Sequence, residues 1–180
     1  LPIGTTRLDN IDGLDKLDWL LLNDAHDNRK IIQGGENLLA STLVVHVRVL
    51  FVDLYKKQPD LACITKPLTK LGFRLLRLDN QRHGCHLPNG QKPKGQGQTS
   101  QLVSADAIFV PTEARLKTLD ENQRRKLAFI LHTAYGVVDL TAAILESIAP
   151  DSSKSYLQSL VPAQAVSLQS RREGTTAQLD

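Results

Sequence analysis

A valine-rich stretch, STLVVHVRVLFVDLY at residues 41–55, constrains the fold of this chain more than any other feature. Five valines fall within ten residues. Branching at the β-carbon restricts helical rotamers and suits the pleated surface of a strand. Apart from His46 and Arg48, the stretch is apolar on both faces. It therefore predicts a strand that is covered on both sides, as in a sheet with helices on its two faces.

The segments around this stretch alternate between strand-like and helix-like patterns. In chain order we expect a strand at 17–23, a helix at 27–39 interrupted near Gly34-Gly35, the valine-rich strand, a helix at 59–72, strands at 73–80 and 104–111, and a helical region at 119–148. Such alternation predicts an α/β fold with a largely parallel sheet and a C-terminal helical extension. We expect one domain over 1–150 and a polar tail over 151–180, with a short helix near 156–161.

The bulk composition excludes several classes of protein. Of the 180 residues, 41% are hydrophobic and 23% are charged, which indicates a globular chain. A net charge of +3 is too small to indicate nucleic-acid binding by itself, and no apolar run is long enough to span a membrane. We expect a cytoplasmic protein in which Cys63 and Cys85 are free thiols, with one disulfide as the alternative. The chain has no methionine and begins with Leu1, so we expect a segment upstream of it.

Several segments occur in an order and spacing that match a known family. They are TTRLDNID near the start, LDWLLLNDAHDNRKIIQGGENLL at 17–39, the valine-rich stretch, LGFRLLRLDN at 71–80, and the run from SADAIFVP at 104–111 through the C-terminal helical region. Together they resemble the C-terminal half of FkbM-type S-adenosylmethionine-dependent methyltransferases, over roughly residues 5–148. The resemblance implies a partial class I methyltransferase-like (Rossmann-like) sheet. It also implies methyl transfer to a hydroxyl of a sugar, polyketide or similar small molecule.

The polar positions that mark this family are largely replaced here. The family pattern Asp-x-x-Lys-x-Asp-x-x-Gly-x-Glu falls on Asp18, Leu21, Asn23, His26 and Asn28. Only the first acid remains, and in the next strand Arg48 stands where the family commonly carries a glutamate. Amides and a guanidinium cannot replace carboxylates that order a substrate hydroxyl. The chain is therefore predicted to be a degenerate, non-catalytic domain that is kept for structure or for protein binding.

The alternative is that the chain is part of an active S-adenosylmethionine-dependent O-methyltransferase whose cofactor site is supplied from outside it. In that case the catalytic candidates are Asp18, Asn23, Asp24 and His26, around the strand at 17–23. Asp24, His26 and Asp27 could form an acid–base group, because side chains at the carboxyl end of such a strand face a cleft. A solvated turn is the other interpretation of the same residues.

The cofactor site of the family has no counterpart in the sequence patterns of this chain. Class I methyltransferases carry a glycine-rich turn after their first strand and an acid for the ribose after their second. No Gly-x-Gly turn follows a strand pattern here, and Gly34-Gly35 lies in a helix pattern. S-adenosylmethionine is thus implied by the resemblance only, and we expect this chain alone not to bind it.

By the same analogy, the chain starts at about the fourth of seven strands. That strand normally lies beside the first, so the edge at 17–23 is expected to be open. An open apolar edge recruits a protein partner or a second copy of the chain.

Two polar clusters have other interpretations. His83-x-Cys85-His86 carries zinc-binding residue types, but fewer than the four ligands of a structural site, so we expect no metal. It lies in a glycine-, glutamine- and lysine-rich segment at 81–101, which predicts a loop that is mobile over 89–101. The basic residues Arg82, Lys92 and Lys94 of this loop could touch phosphates. No aromatic residue is present to stack on bases, so nucleic acid is not expected as a partner.

The helical region near the C-terminus begins with charged residues. Asp120 is placed to cap its start. Arg124-Arg125-Lys126 follow on its exposed side, where they can pair with Asp120 and Glu121 or with a partner. His132 and Tyr135 are expected to pack rather than to bind a ligand.

Overall fold

The valine-rich stretch forms the second strand of a four-stranded sheet in a computed structural model, which describes residues 5–55, 58–86 and 100–160. The strands are β1 (Trp19–Leu22), β2 (Val44–Leu50), β3 (Phe73–Gly84) and β4 (Gln101–Pro111). The four strands fall where the sequence predicts them, although β3 and β4 extend beyond their predicted ends. The polar segment therefore begins later than predicted, because residues 81–84 belong to β3.

The sheet has the order β1-β2-β4-β3. β1 and β2 are parallel, whereas β4 is antiparallel to both β2 and β3. The predicted α/β class is confirmed, but the expectation of a largely parallel sheet is wrong, because two of the three pairings are antiparallel. The physical reason is that β4 follows β3 without an intervening crossover helix among the described residues. It turns back and lies between β2 and β3.

The helices of this part of the chain are α1 (Asn28–Gln33), α2 (Glu36–Ser41), α3 (Leu61–Lys70) and α4 (Glu113–Thr118), and a short 3-10 helix covers Leu8–Asn10. The predicted interruption between α1 and α2 is confirmed at Gly34-Gly35. A β-carbon at Gly35 would lie 2.6 Å from Leu8 Cδ2, so the close approach of the 3-10 helix requires glycine there. The predicted helix at 59–72 is confirmed as α3, whereas α4 was not predicted.

The core lies on one face of the sheet. Val45, Val47 and Val49 of β2 point to this face, as the two-residue period of a strand requires. They pack with Ile32 of α1 and with Ile64 and Leu68 of α3, all of which are buried. The opposite face of β2 carries His46 and Arg48 between the buried residues Val44 and Leu50. β2 is thus buried on both faces at its two ends, with a polar centre on one face. The end of the valine-rich stretch, at residues 53–55, is exposed.

The described residues from Asp120 onward form a second compact unit, separate from the unit that ends at Leu119. It contains α5 (Glu121–Tyr135), α6 (Val138–Glu146) and α7 (Ser152–Ser159). The helical region predicted at 119–148 is broken at Gly136, whose φ of 60° ends α5 in a left-handed cap. The predicted division of the chain at residue 150 stays a prediction.

Several local predictions for this second unit are confirmed. Asp120 caps α5 through a capping box with Gln123, and Arg125 pairs with Glu121 at 2.6 Å. His132 Nδ1 lies 2.8 Å from the hydroxyl of Tyr156 in α7. The short helix predicted near 156–161 begins earlier, at Ser152.

Other expectations concern the cysteines and the polar segment. Cys63 and Cys85 are free thiols, as expected. Within the described ranges, no group of three or more His, Cys, Asp or Glu side chains could hold a metal ion. Most of the segment expected to be mobile (89–101) lies outside the described residues, and so do Lys92 and Lys94.

Among the described helices, none is long and apolar enough to cross a membrane.

Candidate functional site

The four predicted catalytic residues do not meet in one place. Asp18 precedes β1, and its carbonyl accepts hydrogen bonds from the N–H groups of Leu43 and Val44 at 2.9 and 3.2 Å. Asn23 follows the same strand at its other end. At about 3.3 Å per residue, Asp18 and Asn23 are about 16 Å apart. Asp18 is therefore removed from any site that Asn23, Asp24 and His26 could form.

The turn after β1 satisfies its own polar groups. The side-chain oxygen of Asn23 accepts a hydrogen bond from the N–H of Ala25 at 2.9 Å, which forms an Asx turn. Asp27 caps α1, and its carboxylate lies 3.6 Å from both Arg29 and Lys30. Asp24 and His26 are exposed. The predicted acid–base group of Asp24, His26 and Asp27 has no described contact that would orient one member against another.

Asn28 is the one buried polar side chain at this end of β1. It is 3% exposed, and its amide nitrogen donates to the carbonyl of Asn23 at 2.6 Å. Its amide oxygen is buried without a hydrogen-bond partner among the described residues. Asn28 ties the start of α1 to the end of β1.

The carboxyl ends of β1 and β2 do not fit S-adenosylmethionine. The turn between β1 and α1 contains no glycine, and neither does the segment at 51–60 between β2 and α3. Asp27, a carboxylate at the start of α1, is engaged as a helix cap. A glycine-rich turn and a ribose-binding acid are therefore not provided at these two strand ends.

A polar cluster around one buried carboxylate lies in the middle of the sheet, on the face opposite the core. Asp106 of β4 is 3% exposed and stands directly across from Arg48 of β2. The guanidinium of Arg48 donates to both carboxylate oxygens, through Nε to Oδ1 and through Nη2 to Oδ2 at 3.1 Å. Asn80 of β3 donates its amide to Oδ2 at 2.7 Å, and His46 Nε2 lies 3.5 Å from the same oxygen. We call these four residues the Asp106 cluster.

The backbone of β3 is irregular where it joins this cluster. Asn80 has a φ of 48°, in the left-handed region that non-glycine residues seldom adopt. The pairing of β3 with β4 shifts register between Asp79 and Arg82, as at a bulge. The irregularity places the Asn80 amide within reach of Asp106, so three strands converge on one carboxylate.

The electrostatics of the cluster favour the ionised carboxylate. Burial by itself raises the pKa of Asp106. Hydrogen bonds from Arg48 and Asn80, together with the positive charges of Arg48 and of protonated His46, lower it by more. The pKa of Asp106 consequently lies below its ordinary value. A buried carboxylate that is paired and hydrogen-bonded in this way holds the strands together.

The sequence analysis missed Asp106. An acid within the otherwise apolar run SADAIFV is the signal that could have indicated it, because an acid is buried only when it is paired. Arg48 and His46 were visible as the only polar residues of the valine-rich strand. The pairing itself joins residues 58 positions apart, which no local pattern reveals.

β1 forms an edge of the sheet with apolar side chains exposed. It pairs with β2 on one side, and no described strand lies on the other. Leu21 is 58% exposed and Trp19 is 39% exposed, whereas Leu22 is buried. A short apolar edge strand without a charged side chain of its own lacks the usual protection against strand addition.

Comparison with known proteins gives no match. No protein-family model, curated protein or solved structure is significantly similar to this chain.

Proposed function

We propose that this chain is a degenerate FkbM-type methyltransferase-like domain that acts without catalysis, as a protein-interaction module that pairs with a second copy of itself along β1. The observation that carries this proposal is the open edge of β1, where Leu21 is 58% exposed in the middle of an apolar strand. An edge of this kind is removed by adding another strand or by covering it.

The order and direction of the strands support the proposed ancestry. The resemblance implies a class I methyltransferase sheet, whose final strand runs antiparallel between the two strands that precede it. β4 runs antiparallel between β2 and β3. In such a sheet the strand equivalent to β1 lies beside the first strand, and β1 is an edge strand here.

The Asp106 cluster supports the non-catalytic part of the proposal. Arg48 stands where the family commonly carries a glutamate. Its guanidinium donates to both carboxylate oxygens of Asp106 in the neighbouring strand. Its positive charge is neutralised inside the sheet and is not available to a ligand. The turn after β1, where the remaining polar residues lie, is self-bonded and exposed.

The geometry of β1 specifies how two copies would pair. The carbonyl of Asp18 points to β2, since it accepts from Val44. Backbone groups alternate in direction along a strand, so those of Leu21 point to the open edge. A two-fold axis at Leu21 would make the two copies of β1 antiparallel and set Leu21 against Leu21 of the other copy. Such an isologous contact closes at a dimer.

Substitution of Leu21 tests this arrangement. Leu21→Lys opposes two like charges at the axis and should convert the dimer to a monomer in sedimentation velocity. Leu54→Lys is the matched control, because Leu54 is 63% exposed in the segment after β2 and does not belong to β1. A dimer that persists in Leu21→Lys, or that is lost equally in Leu54→Lys, contradicts pairing along β1.

A cysteine at the same position gives a positive result. Directly opposed residues in an antiparallel pair have α-carbons about 4.5–5.5 Å apart, which a disulfide can bridge. Leu21→Cys should cross-link as a dimer under mild oxidation, whereas Leu54→Cys and the unaltered chain, with its two free thiols, should not. Equal cross-linking in all three would show that the contact is not at β1.

The competing function is the active O-methyltransferase. It requires S-adenosylmethionine, and titration calorimetry of the full chain with that cofactor tests it. The proposed function predicts no measurable heat of binding, because the strand ends present do not supply the glycine turn and the ribose acid. Micromolar affinity would overturn the non-catalytic assignment.

A further inference from the structure

A groove of about 710 Å³ lies beside α1, where the chain entering the domain passes over the helix. One wall is the stretch from Thr5 to Ile11, and the other is the side of α1 that carries Lys30 and Ile31. The volume is in the range of small-molecule sites. TTRLDNID was noted only as part of the family resemblance, and the proposed function does not use this groove.

The groove is held open by a defined set of contacts. The carboxylate of Asp9 accepts hydrogen bonds from the N–H groups of Asn37 and Leu38 at 3.1 and 2.9 Å, so it caps the start of α2. The N–H of Asp9 donates to the carbonyl of Gly34 at 2.9 Å. These bonds fix the entering chain against the junction of α1 and α2. They also turn the negative charge of Asp9 toward backbone donors, and Asp9 does not line the groove.

The lining combines an apolar part with two positive charges. Leu8, Ile11 and Ile31 supply the apolar surface, and Ile11 is 42% exposed. The charged lining residues are Arg7 and Lys30, and the described lining contains no carboxylate. The nearest described carboxylate partner of Lys30 is Asp27, at a long 3.6 Å, with the Lys30 side chain 75% exposed.

The backbone oxygens at the end of α1 do not oppose an anion strongly. The carbonyls of Lys30 and Ile31 both accept from the N–H of Gly34, at 2.9 and 3.1 Å. The carbonyl of Gly34 accepts a hydrogen bond from the N–H of Asp9. The groups left to meet a ligand are the two cations, the hydroxyls of the two threonines and the amide of Gln33.

We infer that this groove binds a small anionic amphiphile, with its apolar body on Leu8, Ile11 and Ile31 and its head group between Arg7 and Lys30. A carboxylate, sulfate or phosphate head fits equally, because a guanidinium and an ammonium both donate to oxyanions. The apolar body provides most of the affinity, since removing each methylene from water is favourable.

Titration calorimetry of the full chain with octyl sulfate tests the ligand class. Octyl sulfate should bind more tightly than octanol by about fivefold, because the alcohol lacks the charge. Hexyl sulfate should bind about tenfold more weakly than octyl sulfate, because it buries two fewer methylenes. Inorganic sulfate alone should not bind detectably. Equal affinity for octyl sulfate and octanol, or no binding of either, overturns the inference.

Matched lysine substitutions test the location. Lys30→Gln and Arg7→Gln should each weaken octyl sulfate binding by about two- to threefold, since the two cations share the effect of the head-group charge. Lys154→Gln is the control for Lys30→Gln. The Lys154 side chain is 76% exposed and pairs with an aspartate three residues earlier, as Lys30 does. Equal effects of Lys30→Gln and Lys154→Gln would show non-specific charge attraction and would overturn the site.

Discussion

The turn after β1 and the Asp106 cluster are both polar, but they differ in burial and bonding. The turn is mostly exposed, and its described hydrogen bonds stay within a few residues of chain, apart from a 3.5 Å bond from the Tyr55 hydroxyl to the carbonyl of Asp24. The cluster joins β2, β3 and β4 through the single buried carboxylate of Asp106. The predicted catalytic residues of the turn therefore make few contacts, whereas the Asp106 carboxylate, which was not predicted, is bonded to three side-chain N–H groups. Polar residues in this chain maintain the sheet more than they build a reaction site.

The largest expected effect is the loss of the Asp106 carboxylate. Asp106→Ala leaves the Arg48 guanidinium, whose side chain is 21% exposed, without its counter-charge. Breaking a buried pair from one side costs about 3 kcal/mol or more. Urea denaturation followed by circular dichroism should show that the free energy of unfolding falls by this amount.

A double variant sharpens this prediction. Asp106→Ala combined with Arg48→Met removes both partners and should recover part of the lost stability, because an apolar replacement of a buried pair is less costly than an unpaired charge. A loss below about 1 kcal/mol for Asp106→Ala would mean that the cluster is no more important to the fold than the turn.

Arg115 provides a second partly buried cation with which Arg48 of the cluster can be compared. Its guanidinium donates to the carbonyls of Leu71, Leu39, Ala40 and Thr42, which lie at the ends of α3 and α2. It also stacks on Phe73 at 4.1 Å from the ring centre. Arg115→Ala should cost about 2 kcal/mol in the same denaturation assay, since these bonds are charge-assisted but involve no counter-ion.

The conservative variant separates charge from shape at this position. Arg115→Lys keeps the charge but cannot bridge several carbonyls, so its stability should fall between those of the parent and Arg115→Ala. If the lysine variant is as stable as the parent, the positive charge alone accounts for the effect.

Acid should weaken the Asp106 cluster. The pKa of Asp106 is lower in the folded chain than its ordinary value, so this group stabilises the fold above its unfolded-state pKa of about 3.9. That contribution is lost as the pH falls through the lower, folded-state pKa. Asp106→Asn should show a smaller drop in unfolding free energy below about pH 4 than the parent chain. Parallel pH profiles for the two would rule out this contribution.

The smallest effects are expected in the turn. Asp24→Asn and His26→Ala remove exposed side chains, so each should change the free energy of unfolding by less than about 0.5 kcal/mol. Thermal melts of the two variants measure this. If either variant lost more than about 1 kcal/mol of unfolding free energy, the turn would have a structural role. The turn and the Asp106 cluster would then differ less in what they contribute to stability.

The sequence predicted the elements of this fold better than their arrangement. The valine-rich strand, the break at Gly34-Gly35 and the cap at Asp120 follow from local chemistry and are confirmed. The position of β4 between β2 and β3 depends on which strands meet in space, so the alternation pattern led to a largely parallel sheet. Gly136 was passed over because apolar residues continue at helical spacing on both sides of it.

The candidate site shows the same limit. Asn23, Asp24 and His26 were correctly expected at one end of β1, because strand and turn can be recognised from sequence. The distance of Asp18 from them was overlooked, although a strand of four residues between Asp18 and Asn23 is enough to separate the two. Asp106, Arg48 and Asn80 come from three strands, and only the fold brings them together.

The central claim is that the open edge of β1 makes this chain a self-pairing module. Static light scattering of the full chain at micromolar concentration tests this claim most directly. The account predicts a mass close to twice the 19.9 kDa of one chain, which falls to the monomer value when Leu21 is replaced by lysine. A stable monomer with a cooperative melt, at concentrations up to tens of micromolar, would contradict self-pairing along β1.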